Sequence, residues 1–198
     1  MTDGDRETIA LYDERAAEYA RLFTGKKSDP RLVAFLDLVT PGGRVLDLGC
    51  GVANAAAQMR DSGFDVLALD ASQGMADEAK RLHNIDVRIG TFEDISSLGQ
   101  FDGVWAHFSL LHADPDKFDG HITDLHTALK PGAPFLIGMK TGDGTKRDTL
   151  GRRYTYRTED ALTDVLTRTG FTVVTSDTGA EEGFDGVIAP WVILVARA

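Results

Sequence analysis

The rhythm of apolar positions changes near Arg44. Before it, Ile9, Tyr12, Ala16, Tyr19 and Leu22 recur at helical spacing and predict a helix over about 5–22. GKKSDP interrupts it, with Ser28 or Asp29 as the N-cap ahead of Pro30, and a short second helix is expected over 31–39. Pro41-Gly42-Gly43 is a turn. From Arg44 onward, short apolar runs alternate with helical ones. RVLDLG, FDVLALD, IDVRIG, FDGVWAHF and PFLIGMK read as strands. AAAQMRDSG, the stretch from Ser72 to about Leu82, 116–129 and 158–169 read as helices, the last opened by the capping pattern TEDA. FTVVTSD and WVILVARA have no helix between them and are expected to pair as a hairpin.

Strands that are apolar throughout, alternating with helices, predict an α/β fold. Its sheet is mostly parallel and covered on both faces. Such sheets bind ligands beyond the carboxyl ends of their strands. No linker-like stretch divides the chain, so a single domain over 1–198 is expected, with 1–40 helical and 41–198 forming the sheet-bearing core. A hydrophobic content of 42% with 26% charged residues suits a soluble protein. The formal charge of −10 argues against a nucleic-acid partner or an anionic membrane surface. Cys50 is the one cysteine, which excludes an internal disulfide and a cysteine set for zinc, and fits a cytoplasmic protein. The acidic start, MTDGDRET, is unlike a secretory signal, and the longest apolar runs are too short to span a bilayer as a helix.

The candidate chemistry gathers on VLDLGCGVANAAAQM, Val45 to Met59. Glycines at a strand–helix turn permit positive φ and let a ligand lie against bare backbone. Judged as a dinucleotide fingerprint, G-x-G-x-x-G/A, the loop fails at its last position, which is Asn54. Asp47 lies inside an otherwise apolar strand, which is costly unless the carboxylate is bonded. It is either half of a structural pair or a site acid. Asp70 ends the next strand, 19 residues after Gly51, where an acid reaches ribose hydroxyls in nucleotide-binding folds or simply opens a helix.

VLDLGCG, LALDAS, FDGVWAHFSLLH and LKPGAPFLIGMK together resemble the class I S-adenosylmethionine-dependent methyltransferases, over about Arg44 to Lys140. The resemblance implies a Rossmann-like seven-stranded sheet of order 3-2-1-4-5-7-6 with strand 7 antiparallel. It implies S-adenosylmethionine as cofactor, S-adenosylhomocysteine as product, and 1–40 as a cap over the cofactor site. By position, Asp47, Gly49, Cys50 and Gly51 would face the cofactor's amino-acid end. Asp70 and Ala71 would meet the ribose, Met75 the adenine, and Ala106 would complete the contacts. The family's third loop glycine is Ala53 here, which is expected to start a helix without positive φ. The acid usual after strand three is replaced by Thr91, so Phe92 and Glu93 are taken as cofactor contacts instead. On the first helix, Tyr12 and Tyr19, seven apart, would close over the cofactor.

For the chemistry, His107 and His112 in the loop after strand four are candidate bases. Phe108, Arg152, Tyr154 and Trp191 are candidate substrate contacts, with Arg152 suited to fork onto an anion. His121 and His126 lie off one helix face, and no metal is expected. The leading reading is methyl transfer to a small-molecule acceptor by a monomer or homodimer. The alternatives are a nicotinamide-dependent oxidoreductase and a non-catalytic S-adenosylmethionine-binding protein.

Overall fold

A computed structural model describes residues 5–23 and 29–198. Helix α1 (Arg6–Phe23) and α2 (Pro30–Leu36) precede the sheet. Asp29 caps α2 by accepting from the Arg31 amide at 2.9 Å, ahead of Pro30 at the first helical position. Ser28, the other expected cap, lies outside the described residues.

Strands and helices then alternate: β1 (Arg44–Leu48), α3 (Asn54–Asp61), β2 (Asp65–Asp70), α4 (Gln73–His83), β3 (Arg88–Ile89), β4 (Gly103–His107), α5 (Phe118–Ala128) and β5 (Pro134–Lys140). A small hairpin follows, β6 (Thr145–Arg147) with β7 (Arg153–Thr155), then α6 (Glu159–Arg168), β8 (Thr172–Glu182) and β9 (Ile188–Arg197). Sheet order is β3-β2-β1-β4-β5-β9-β8. The first five strands run parallel, and β9 is antiparallel to both β5 and β8. Counting only sheet strands, this is the expected order with its antiparallel seventh strand.

Side chains alternate between two buried faces. Leu46, Leu48, Val104, Phe135, Ile137 and Leu194 pack under α5 and α6. Val45, Trp105, Leu136 and Ile193 pack against Leu32 and Phe35 of α2 and Met59 of α3. Neither face meets water, which is why these strands read as continuous apolar runs. The hairpin β6–β7 falls where no strand was expected; its strands are three residues long and almost wholly polar, below what periodicity resolves. The β8–β9 hairpin also runs further than expected, to Glu182 and Ile188, well beyond the C-terminal ends of the parallel strands. Among the described residues no helix is long and apolar enough to cross a membrane.

Candidate active site

The turn after β1 carries three positive φ angles: Gly49 at 69°, Gly51 at 54° and Ala53 at 60°. The expectation for Ala53 is corrected: it adopts the left-handed conformation. That costs an L-residue about 1–2 kcal/mol. Its methyl is buried against Ala56, Ala57 and Ala68, where a larger side chain in this conformation has no room. Ala53 also offers no side chain to cap α3. Asp47 does so from within β1, accepting from the Ala56 amide at 3.0 Å. This explains a carboxylate in an apolar strand. Burial pushes the Asp47 pKa up to about 7.

Gly49 and Cys50 both donate to Leu69 O, at 2.8 and 3.0 Å, tying the turn to the end of β2. A Cβ on Gly49 would overlap the Ser109 side chain. The Asp70 carboxylate takes one amide on each oxygen, Gly51 N–H at 2.7 Å and Ser72 N–H at 2.9 Å. Among the described residues no cation contacts it, and burial raises its pKa.

These residues line a cavity of about 750 Å³ at the carboxyl ends of the strands. Cys50, Ala71, Met75, Phe92, His107, Phe108, His112, Tyr12 and Tyr19 also line it, as do Gly90 and Thr91. Ala106 does not: it is fully buried beneath the site. Glu93 does not either: it turns outward onto Lys117. The nearby Asp94 is spent in a capping box, accepting from the Thr91 amide at 2.8 Å. The segment after β3 therefore offers the cavity a backbone, a hydroxyl and a ring rather than an acid.

Helix α1 crosses the mouth. Asp13 Oδ1 accepts from Ser72 Oγ at 2.6 Å and Gly74 N–H at 2.9 Å. Gly74 is required there, because a Cβ would stand 2.6 Å from Asp13 O. Ala16 and Ala20 seat α1 on Met75. On its other side, Asp5 pairs with Arg147 at 2.8 Å and Thr8 Oγ1 accepts from Arg153 N–H at 2.9 Å. Tyr19 packs edge-on against Phe184, in the turn between β8 and β9, at 5.2 Å.

The two candidate bases separate cleanly. His112 Nδ1 lies 2.7 Å from Arg153 O, a carbonyl that only accepts, so Nδ1 carries the proton. Its Nε2 therefore accepts from the Tyr12 hydroxyl at 3.1 Å, and the Tyr12 oxygen accepts from Arg152 Nη1 at 2.9 Å. Arg152 forks onto Asp148 at 2.8 and 2.6 Å. Both His112 nitrogens are thus engaged, and burial lowers its pKa to about 4. His107 lies beside Trp105 and Phe108, with ring centroids 5.1 and 4.5 Å away, and its Nε2 is buried without a hydrogen-bond partner among the described residues. Asp29 Oδ2 stands 3.9 Å from that nitrogen. Burial lowers the His107 pKa to about 4. Phe108, at a φ of 58°, is a strained non-glycine residue at the cavity wall, where such strain tends to collect.

The expected substrate contacts on the C-terminal segments are corrected. Arg152 is 2% exposed and satisfied by Asp148, and Tyr154 packs on His112 at 4.9 Å; neither lines the cavity. Trp191 is buried under the Arg31 guanidinium, 4.6 Å from its ring centroid. Two of the basic side chains in this segment, Arg147 and Arg152, are taken up by Asp5 and Asp148. Sequence reasoning missed Asp13, Asp148, Glu181 and Glu182, and read Asp29 only as a helix cap. Only Asp148, four residues before Arg152, carried a local signal.

A family model for a methyltransferase domain matches residues 45–132. An uncharacterized methyltransferase of Staphylococcus carnosus (strain TM300) is 27% identical over 174 residues, covering 81% of this chain and 84% of that protein. A demethylmenaquinone methyltransferase of Renibacterium salmoninarum is 32% identical over 141 residues, covering 66% of this chain but 57% of that protein's length. Among solved structures, the Burkholderia thailandensis 1,6-didemethyltoxoflavin-N1-methyltransferase superposes with a TM-score of 0.75 at 22% identity, over 96% of this chain and 87% of that one. A methyltransferase-domain match that begins at the loop-bearing strand, together with methyltransferase relatives and a methyltransferase neighbour on a sheet of this order, supports a class I S-adenosylmethionine-dependent methyltransferase.

Proposed function

We propose that this chain transfers a methyl group from S-adenosylmethionine to a small-molecule acceptor bound beside His107 and Phe108. The observation that carries the reading is Asp70. Each of its oxygens already takes one backbone amide and keeps lone-pair capacity toward the cavity. That suits two vicinal ribose hydroxyls. Gly49 and Gly51 leave the backbone bare for the amino-acid end, and Met75 and Phe92 supply apolar surface for adenine. Among the described residues, the charged side chains lining the cavity include Asp47 and Asp70, which suit a cation-bearing cofactor. The Burkholderia neighbour holds 1,6-didemethyltoxoflavin with S-adenosylhomocysteine, which supports a small acceptor here.

When bound, S-adenosylmethionine supplies a methyl already activated by its sulfonium. The protein's work is alignment and exclusion of water, which can be worth roughly 7–11 kcal/mol in favourable cases. Helix α1 covers the mouth, and Phe108 and Trp105 wall the acceptor end. His112 is a positioning residue: it holds Tyr12, and through it α1, in place. His107 Nε2 is the imidazole nitrogen with capacity left to accept a proton or orient the acceptor, with Asp29 placed to support the imidazolium. Action in the cytoplasm without a nucleic-acid partner, as monomer or homodimer, accords with the charge of −10 and the lone cysteine.

Calorimetry with S-adenosylmethionine, S-adenosylhomocysteine and NAD(H) tests the reading, followed by mass detection of methyl transfer across an acceptor panel. Micromolar binding of the first two and none of NAD(H) is expected. Tight NAD(H) binding alone would overturn it.

A further inference from the structure

We infer that the nucleobase end of the cofactor site reads the base by its faces and not by its amino group, so that hypoxanthine is taken in place of adenine. The inference rests on the methyl-transfer reading above, with Asp70 as the ribose anchor.

Asp70 stands between two parts of the cavity wall. On one side its carboxylate holds Gly51 N–H and with it the glycine turn. On the other, Ser72 N–H leads into the first turn of α4, and the Asp70 carbonyl accepts from Gly90 N–H at 3.0 Å. A ribose held at Asp70, with its amino-acid arm on the glycine turn, therefore sends its base toward Met75 and the segment from Gly90 to Phe92. Met75 is 2% exposed, and the Phe92 ring is backed by His121 with centroids 5.8 Å apart.

Adenine and hypoxanthine differ at one edge. The first presents an amino group that donates, the second a carbonyl oxygen that accepts. A carboxylate fixed at that edge would hold the amino group and repel the carbonyl. Three acids stand beside this wall, and each is engaged elsewhere. Asp94 Oδ2 accepts from Thr91 N–H at 2.8 Å and lies over Gly90, where a Cβ would stand 2.8 Å from it. Glu93 turns outward onto Lys117. Asp13 Oδ1 accepts from Ser72 Oγ and Gly74 N–H, outside the cavity lining. Residues 24–28, TGKKS, contain no acid.

The hydroxyls on this wall are Ser72 and Thr91. Ser72 Oγ is engaged, accepting from Met75 N–H at 3.1 Å and donating to Asp13. Thr91 carries a hydroxyl that donates or accepts, and so serves an amino group and a carbonyl alike. The Met75 thioether and the Phe92 ring touch either base by dispersion, which is indifferent to the exchange. A site built to bond an N–H rejects the analogue lacking it by about 10⁴-fold or more. Faces alone separate two bases of nearly equal shape far less.

Calorimetry on the full chain with S-adenosyl-L-homocysteine and its deaminated analogue, S-inosyl-L-homocysteine, tests this. The two dissociation constants are expected to agree within about tenfold. Thr91→Asp keeps a residue suited to a helix cap and replaces the two-way hydroxyl with an acceptor. It is expected to shift the ratio toward the adenosyl compound by at least about tenfold more. A parent ratio above about tenfold, or a ratio that folded Thr91→Asp leaves unmoved, overturns the inference. The parent ratio decides even where that variant fails to fold. Binding of the adenosyl compound alone removes the inference and leaves the methyltransferase reading standing, whereas binding of neither compound removes both.

Discussion

Asp70 does two jobs at once. It pins the glycine turn through Gly51 N–H and lines the cavity. Asp70→Ala should therefore weaken S-adenosylmethionine binding by about 1.5–3 kcal/mol, roughly tenfold to a hundredfold, and also loosen the loop. Calorimetry reads the first effect and amide exchange at Gly51 the second; unchanged affinity would remove Asp70 from the ribose. Ala53 tests the loop from the other side. Ala53→Gly relieves about 1–2 kcal/mol of left-handed strain but removes a buried methyl worth about 0.8 kcal/mol. Urea unfolding should find the variant as stable as the parent, or up to about 1 kcal/mol more so. Asp47, Gly49, Gly51 and Asp70 were legible because their chemistry is local: turn, strand end and charge lie within one short window. Arg152 was misread because a sequence shows a charge but not its partner. Its match, Asp148, comes into reach only once the β6–β7 turn folds. His112 was misjudged for the same reason, since its partners Tyr12 and Arg153 are remote in sequence.

At the scale of elements, α1 is held by two rows of contacts, to α4 through Asp13 and to the β6–β7 hairpin through Asp5, Thr8 and Tyr12. Gly74→Ala would drive a methyl into the Asp13 backbone, so α1 must shift while the sheet is untouched. Hydrogen exchange should show lost protection in α1 with β1, β4 and β5 unchanged, and cofactor affinity should fall. Tyr12→Phe leaves His112 Nε2 and one Arg152 N–H unsatisfied in the interior, a cost of about 1–3 kcal/mol. If chemical denaturation finds Tyr12→Phe neutral, the chain from Asp148 to His112 does not fasten α1. The strand order was legible because apolar runs and helices alternate with clear periods. The β6–β7 hairpin was not, since three-residue polar strands leave no periodic trace.

For the whole molecule, two sets of buried groups pull stability in opposite directions with pH. His107 and His112 are held at about 4, below the unfolded value of about 6.5. Over that window the unfolded chain binds more protons, so these two make stability rise with pH. Asp47, pushed up to about 7 from about 3.9, keeps a proton that the unfolded chain has lost, so it makes stability fall between pH 4 and 7. Without cofactor, Asp47→Asn should steepen the rise of stability from pH 4 to 6.5 and leave the variant more stable than the parent at pH 8. Urea midpoints at four pH values would show it, and parallel curves would refute it. The overhanging β8–β9 hairpin carries one more consequence. Phe184 packs on Tyr19 and Phe23, so a segment made about 160 residues after α1 closes over that helix. During translation the parallel strands with their glycine turn can form while the chain is still on the ribosome. The roof over the cavity cannot, and closure of the cavity is deferred until the β8–β9 hairpin has emerged.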